Sequence, residues 1–388
     1  MSSATATSCI SVSTSRPLAA LPPGCVEACR GCRHRALEPS ESARLKRERV
    51  AGALMGVCGA DRIAPIRAAE SPGGYRDRIA LHAEFRDGRW RIGTRGPLRA
   101  GSRYEREIVE IPDCPVHTPR ANAILGELIR QLPSDPGLGL AFVLVSGALA
   151  TLVFKRRESP ALEWVDAPAL RRAGLESLLF HLNPSAGNRV ISGVRITSIF
   201  GEQAATGGDS LLYGPRSFRQ AVPALHREAL EEAARFLAPA KGGSVIDLYS
   251  GVGAGLRAWT SLGARALGVE LNSEAVTLAA RNAPLAESLR GRCSDRIPQI
   301  REWIARGCPA SAYLNPPRSG AEPEVIEFLS KEPAIGRIAY LSCSPGSLSK
   351  DLRELTDGGF QVERVIPFDF FPGTDHVETL ALLDRVSR

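Results

Sequence analysis

Cys343 closes the apolar run RIAYLS and is followed by Ser344-Pro345 and an amphipathic stretch. Inside such a run it would be core, because a free cysteine behaves as a small hydrophobe. At the carboxyl end of a strand in an open α/β sheet it stands where ligands bind, and there it would be a reactive thiol. A second constellation is VIDLYSGVGAG, which sets Asp247, Gly251, Gly253 and Gly255 across a strand-to-helix turn, with Glu270 ending the next strand in GVEL. Glycines at such a turn let the backbone approach a ligand, and an acid about 20 residues on can bind ribose hydroxyls. The spacing is not the dinucleotide G-x-G-x-x-G, which favours a nucleoside ligand such as S-adenosylmethionine (SAM) over NAD; a purely structural turn is the alternative. NPPRSG, residues 315–320, follows another apolar run and makes a stiff loop able to present a side chain to a planar ring. Near the N-terminus, CVEACRGC supplies Cys25, Cys29 and Cys32, and PDCPVH supplies Cys114. Three close cysteines plus a distant one can ligate a four-iron cluster or tetrahedral zinc. Cys9, Cys58, Cys293 and Cys308 find no such role.

The elements that must hold these residues alternate from about residue 244. SVIDLYSG, RALGVEL, SAYLNPP and RIAYLSCS read as buried strands. Helices lie between them, one of them capped by Asn272 or Ser273. QVERVIPFDFF and VETLALLDRV add two strands with a short connection. The fold class expected is therefore α/β, a doubly wound sheet ending in an antiparallel hairpin. Residues 71–205 read as a smaller α+β region, with strands in RIALHAEF, RWRIGTR, AFVLVSG, ALATLVFK and RVISGVRIT and helices over 121–131 and 166–181. The run GLGLAFVLVSGALATLVF nears membrane-spanning length, but Ser146-Gly147 at its centre predicts two strands and a tight turn.

The chain has 388 residues, enough for two domains, and a net charge of +7. Residues 25–120 hold 19 Lys+Arg against 13 Asp+Glu, so nearly all the surplus lies there. That suggests a polyanion partner, most simply nucleic acid, with Arg44, Lys46, Arg47 and Arg49 as phosphate contacts; a solvated basic face is the alternative. Nine cysteines without a secretory signal argue against a disulfide framework. A soluble, cytoplasmic protein is expected, with no membrane contact and no obligate protein partner. Residues 1–24 read as a disordered tail; Arg16, their only basic residue, argues against a transit peptide.

DLYSGVG, GVE, NPPR, LSCSPGSLSKDL and FPGTDHVETLALL come in the order and spacing seen in RNA (uracil-5-)-methyltransferases. The chain resembles that family strongly over 210–388 and moderately over 25–120, and YGPRSFRQAVP is similar to the segment opening its catalytic domain. The family modifies uridines in 23S ribosomal RNA and in the T-loop of transfer RNA. The resemblance implies a class I methyltransferase domain with a Rossmann-like sheet at 210–388 and a central α+β region at 121–209. It implies a basic iron–sulfur, RNA-binding region at 25–120. Cys343 matches the nucleophile that adds to carbon 6 of uracil, and Glu378 matches the base that later removes the proton from carbon 5. Gln220, Tyr249, Glu270 and Asn315 match residues that contact SAM. The resemblance favours a 4Fe-4S cluster on Cys25, Cys29, Cys32 and Cys114, with zinc as the alternative, although the first C-x3-C spacing is shorter than the family's usual one.

Three departures stand out: Val222 where Asn is frequent, Ser250 where DLYCG has cysteine, and Asn315 where most members have Asp. The branch without an N-terminal TRAM domain can carry Asn there. Twenty-four residues before Cys25 leave no room for a TRAM-like barrel, which tilts the expected substrate to 23S rRNA over tRNA. In either RNA the target uridine must leave its stack. A rival of another class is a catalytically inactive iron–sulfur RNA-binding protein. Ser250, Val222 and Asn315 support that rival, and Cys343 with Glu378 opposes it.

Overall fold

The computed structural model describes residues 20–101, 106–185, 190–191, 195–239, 241–307 and 310–386. Most of the tail expected over 1–24 lies outside these residues, as do Cys9 and Cys308. After a cysteine-bearing loop come helix α1 (Pro39–Ala53) and strands β1 (Arg78–Arg86), β2 (Arg89–Leu98) and β3 (Arg106–Glu110). Helix α2 (Pro119–Gln131), β4 (Leu140–Ser146), β5 (Leu149–Phe154), α3 (Ala167–Arg172), β6 (Ser177–Leu182) and β7 (Thr197–Phe200) follow. The strands form one sheet in the order β3-β2-β1-β4-β5-β6-β7. Residue 120, expected to separate an N-terminal from a central region, thus lies between strands that share a sheet. Strand alternation puts Ile79, Leu81, Val143, Val145, Ala150 and Leu152 on one face, packed with Ile124, Leu125 and Leu128 of α2.

The long apolar run is β4 and β5, antiparallel and joined at Gly147 with φ +61°. Among the described residues no helix is long and apolar enough to cross a membrane. The helix expected over 166–181 is a misreading of two elements as one. α3 ends at Arg172 because Gly174 takes φ +97° and the Leu175 amide bonds back to the Leu170 carbonyl. SLLFHL then pairs parallel with β5 as a fully internal strand, so its continuous apolar run reflects burial on both faces.

The short ribbon β8 (Ala205–Thr206) and β9 (Leu212–Tyr213) leads to α4 (Pro223–Leu237), β10 (Ser244–Leu248), α5 (Ala254–Ser261), β11 (Arg265–Glu270) and α6 (Ser273–Asn282). Asn272 is the cap of α6, its side chain accepting from the Glu274 amide. Next come β12 (Glu287–Arg290), α7 (Ile297–Ala305), β13 (Ala310–Leu314), α8 (Pro323–Lys331), β14 (Ile335–Ser342), α9 (Pro345–Asp357), β15 (Phe360–Phe368) and β16 (Glu378–Arg385). The sheet order is β12-β11-β10-β13-β14-β16-β15; the first five strands are parallel, and β16 runs antiparallel to both neighbours. This is the expected doubly wound sheet with a terminal hairpin. From β10 the chain turns to β11 on one side and later to β13 on the other. A crevice therefore opens at the carboxyl ends of β10 and β13.

The N-terminal segment does not stand apart. Val50 of α1, Leu54 just after it and Ile63 share a core with Ile338, Leu352 and Val365. Residues 63–67 lie parallel against β15 through the Ile63–Val365 and Arg67–Phe368 bridges. This corrects the expectation for Lys46 in the basic helix. The fully buried Lys46 ammonium meets Asp369 Oδ1 at 2.6 Å and the Phe371 carbonyl at 3.1 Å. Arg47 donates to the carbonyls of Ile63 and Ala64, Arg49 to that of Asp375, and Arg44 pairs with Glu41 and Glu48. Sequence shows the charges; only tertiary packing shows that Lys46 is spent inside the protein and Arg47 on backbone carbonyls, while Arg44 and Arg49 stay about half exposed. Lys46→Met, which strands the Asp369 carboxylate, should lower unfolding free energy by about 3–5 kcal/mol, read from the denaturant midpoint. RNA affinity measured below the transition should stay unchanged; a large affinity loss without destabilisation would restore the phosphate-contact reading.

Candidate active site

Four of the singled-out residues sit at carboxyl ends of adjacent parallel strands. Tyr249 follows β10, Glu270 ends β11, Asn315 follows β13 and Cys343 follows β14. Glu378 begins β16. Ser342 pairs with Thr379 across β14 and β16, so one step further along the antiparallel ladder sets Cys343 against Glu378. Their electrostatics agree with that register. Burial raises the Cys343 thiol above its ordinary value and the Glu378 carboxylate adds to the rise, while the Arg318 guanidinium opposes it through its charge and a hydrogen bond. Glu378 is 3 % exposed, and burial pushes its carboxyl up to about 7, again with Arg318 opposing. Arg318 also lowers the neighbouring His376, after burial. The stiff loop of NPPRSG therefore delivers a cation to the Cys343–Glu378 pair. Arg318 is not among the site residues expected from the sequence, although an Arg fixed behind two prolines at a strand end was the available signal.

The glycine turn is shaped by two different demands. Tyr249 is a non-glycine residue with φ +61°, followed by Gly251 at +54° and Gly253 at +88°. Such a residue is a backbone outlier of the kind that collects at ligand sites. The Tyr249 hydroxyl donates to Glu322 Oε2 at 2.9 Å and accepts from the Glu322 amide. Glu270 accepts from the Gly251 amide at 3.0 Å and the Asn272 amide at 2.7 Å, which leaves lone pairs of the carboxylate free. A Cβ on Gly251 would meet open space, so this side of the turn can admit a ligand. Gly255 serves packing instead. A Cβ there would collide with Asp247 Oδ2, part of the buried carboxylate that accepts from Trp259 Nε1. Burial raises the Asp247 carboxyl to about 7.

Gln220 precedes α4 and is 5 % exposed, and among the described residues its Oε1 has no hydrogen-bond partner. A buried carbonyl oxygen left unpaired is costly, so a ligand donor at this position would be favourable. The Asn315 amide bonds the Leu248 carbonyl and ties the ends of β13 and β10 together. The residues present thus suit a bound nucleoside: an open turn, an acid with free lone pairs, and an orphan acceptor.

The N-terminal cysteines occupy a separate place. Cys25, Cys29 and Cys32 lie in the loop before α1, and Cys114 in the loop before α2. The Gly24 backbone packs so tightly on the Asp113 carbonyl that no Cβ would fit between them, which brings the two loops together. Arg35 ties the first loop by donating to the carbonyls of Val26, Glu27 and Cys29. Burial pushes the Cys32 thiol up to about 11, and Cys114, Cys29 and Cys25 add to the shift. The other three thiols are thus felt electrostatically at Cys32. Among the described residues, however, no three His, Cys, Asp or Glu side chains converge as a metal-holding group. Cys293 is core, and Cys58 packs at the core's edge.

A family model described as tRNA (uracil-5-)-methyltransferase matches residues 307–386. An uncharacterized RNA methyltransferase of Listeria monocytogenes is 28 % identical over 342 residues, covering 81 % of this chain and 72 % of that protein. A 23S rRNA (uracil(1939)-C(5))-methyltransferase of Marinomonas sp. is 26 % identical over 368 residues, covering 92 % and 79 %. Among solved structures, a Pyrococcus abyssi tRNA (uracil-54, C5)-methyltransferase in complex with S-adenosyl-L-homocysteine superposes with a TM-score of 0.70 at 22 % identity, over 92 % of this chain and 86 % of that one. At that identity the likeness is one of fold.

Proposed function

We propose that the chain is an RNA (uracil-5-)-methyltransferase and that it methylates carbon 5 of a uridine in 23S ribosomal RNA. The observation that carries the reading is the pairing of Cys343 with Glu378 beside Arg318 at the carboxyl edge of the sheet. Carbon 5 of uracil is a poor nucleophile. Cys343, as the thiolate that Arg318 favours, adds to carbon 6 and turns the ring into an enolate. Bound SAM supplies the methyl group, which the enolate carbon takes as the sulfonium's carbon–sulfur electron pair returns to sulfur. The Glu378 carboxylate then removes the proton from carbon 5. Those electrons re-form the ring double bond and expel the Cys343 thiolate, so enzyme and methylated RNA separate. Gln220, Tyr249, Glu270 and Asn315 would contact SAM, with Glu270 toward the ribose hydroxyls.

Relatives named as 23S rRNA methyltransferases support that substrate over tRNA, while the name of the matching family model keeps tRNA as the second reading. Comparing RNA from cells with and without the gene, by nuclease digestion and mass spectrometry, tests the choice. One 5-methyluridine should vanish from 23S rRNA. Its loss from tRNA would select the second reading, and no loss from either would reject both.

Cys25, Cys29, Cys32 and Cys114 would hold a 4Fe-4S cluster. The close approach of their two loops at Gly24 and Asp113 and the four thiol donors support it, and the cluster would cross-link the N-terminal loop to the loop before α2. Protein purified without oxygen should be brown with near-equal iron and sulfide, and Cys32→Ser should bleach it and lower its solubility. Colourless protein with stoichiometric zinc would replace the cluster by the metal and leave the methyl-transfer reading standing.

A further inference from the structure

The face of the first sheet opposite α2 carries a feature that the proposed chemistry does not use. Register places Arg78, Ser146 and Leu149 in one row across β1, β4 and β5, and Ala80, Leu144 and Thr151 in the next. These rows share a face, and with Arg76, two residues before Arg78, they line a cavity of about 170 Å³. Pro215, from the segment that leads to Gln220, lines it too, so the cavity sits on the seam between the two sheets.

Its polar groups lack partners. Thr151 is 0 % exposed, and among the described residues neither its hydroxyl nor that of Ser146 has a hydrogen-bond partner. Among the described residues the Arg78 guanidinium has neither a hydrogen bond nor an ion pair. The nearby acids are engaged in part, with Asp77 Oδ1 left without a partner among the described residues. Asp77 pairs with Arg219 at 2.5 Å, and Glu274 accepts from the Arg216 amide and the Ser217 hydroxyl, both at 3.0 Å. Two guanidinium groups and two unsatisfied hydroxyls around one cavity call for an anion with several acceptor oxygens, since a buried hydroxyl without a partner is costly and Arg grips such oxygens through parallel N–H donors.

We propose that this cavity binds a backbone phosphate of the substrate RNA, through Arg76, Arg78, Ser146 and Thr151, and so fixes the strand beside the segment that carries Gln220. The inference rests on the RNA reading given above. A phosphate held there positions the strand without reading its sequence. The Asp77–Arg219 pair ties the chain between the two arginines to the segment that carries Gln220.

RNA binding by the full-length protein, measured by fluorescence anisotropy over a range of salt, tests this. Arg78→Gln should weaken binding about tenfold, as expected for hydrogen bonds to a charged group, and reduce the slope of log affinity against log salt by about 0.7–0.9. Thr151→Val should cost about fivefold with the slope kept. Arg78→Lys should keep the slope and lose part of the affinity, and it carries the test if Arg78→Gln folds poorly. SAM binding should be unaffected in all three. Inorganic phosphate should compete with RNA for the wild type. Native-like RNA affinity and slope in folded Arg78→Gln would overturn the proposal. So would loss of phosphate binding alone, which would make the cavity a small-anion site. If the wild type binds no RNA, the functional reading fails and this proposal with it.

Discussion

Cys343→Ala should abolish methyl transfer and covalent RNA capture together. The thiolate has to attack before any methyl moves, so the loss should be on the order of 10⁴-fold or more, and no adduct should form with either normal or stalled substrate. Cys343→Ser should be almost as inactive, because a hydroxyl is a far weaker nucleophile near neutral pH. RNA and SAM should still bind. The wild-type thiol is held above its ordinary value, chiefly by burial, so its reactive fraction grows with pH and depends on Arg318. Activity retained in Cys343→Ala would remove the nucleophile from the account.

Glu378→Gln should separate the two halves of the reaction. Addition and methyl transfer precede the proton removal that Glu378 performs, so the variant should accumulate RNA bound to Cys343 and release it slowly. A denaturing gel with labelled RNA and SAM should show a retarded band that disappears in the double variant with Cys343→Ala. With the Glu378 carboxyl near 7, its ionised fraction rises between about pH 6 and pH 8, and the wild-type release step should accelerate across that range. The variant should lose this dependence. Stability should move the other way. The native carboxyl is raised from 4.5 to about 7, so between those values the folded state holds a proton that the unfolded state has lost. Stability therefore falls as pH rises through that window, and the neutral amide of the variant avoids the loss. At pH 8 the variant should be more stable than the wild type by up to about 3 kcal/mol. Normal turnover by Glu378→Gln would transfer the base role to Asp375 or His376.

Much of this site could be read along the chain because its parts are local. A strand period fixes where β14 stops, and Cys343 then falls at its carboxyl end without further information. The glycine turn and the acid ending the next strand have a fixed spacing because one βαβ unit sets it. What escaped the reading depends on contacts between distant segments. Lys46 reaches its carboxylate 323 residues away, and nothing near either residue marks the pair as buried. Gly255 belongs to the same glycine cluster as Gly251, yet one makes room for Asp247 and the other borders open space. Residues 177–182 failed for another reason: a strand buried on both faces has no period of two, so an apolar run beside a helix reads as its continuation. The division at residue 120 followed composition and charge, whereas the sheet follows hydrogen bonding from β1 to β4.

The most direct measurement follows the methyl group itself. An unmodified 23S rRNA transcript is incubated with the protein and SAM labelled in its methyl, digested to nucleosides and analysed by mass spectrometry. The account predicts the label in 5-methyluridine alone, at a single position, and none when Cys343 is replaced by Ala. Label in any other nucleoside, or in 5-methyluridine made equally well by Cys343→Ala, would contradict it.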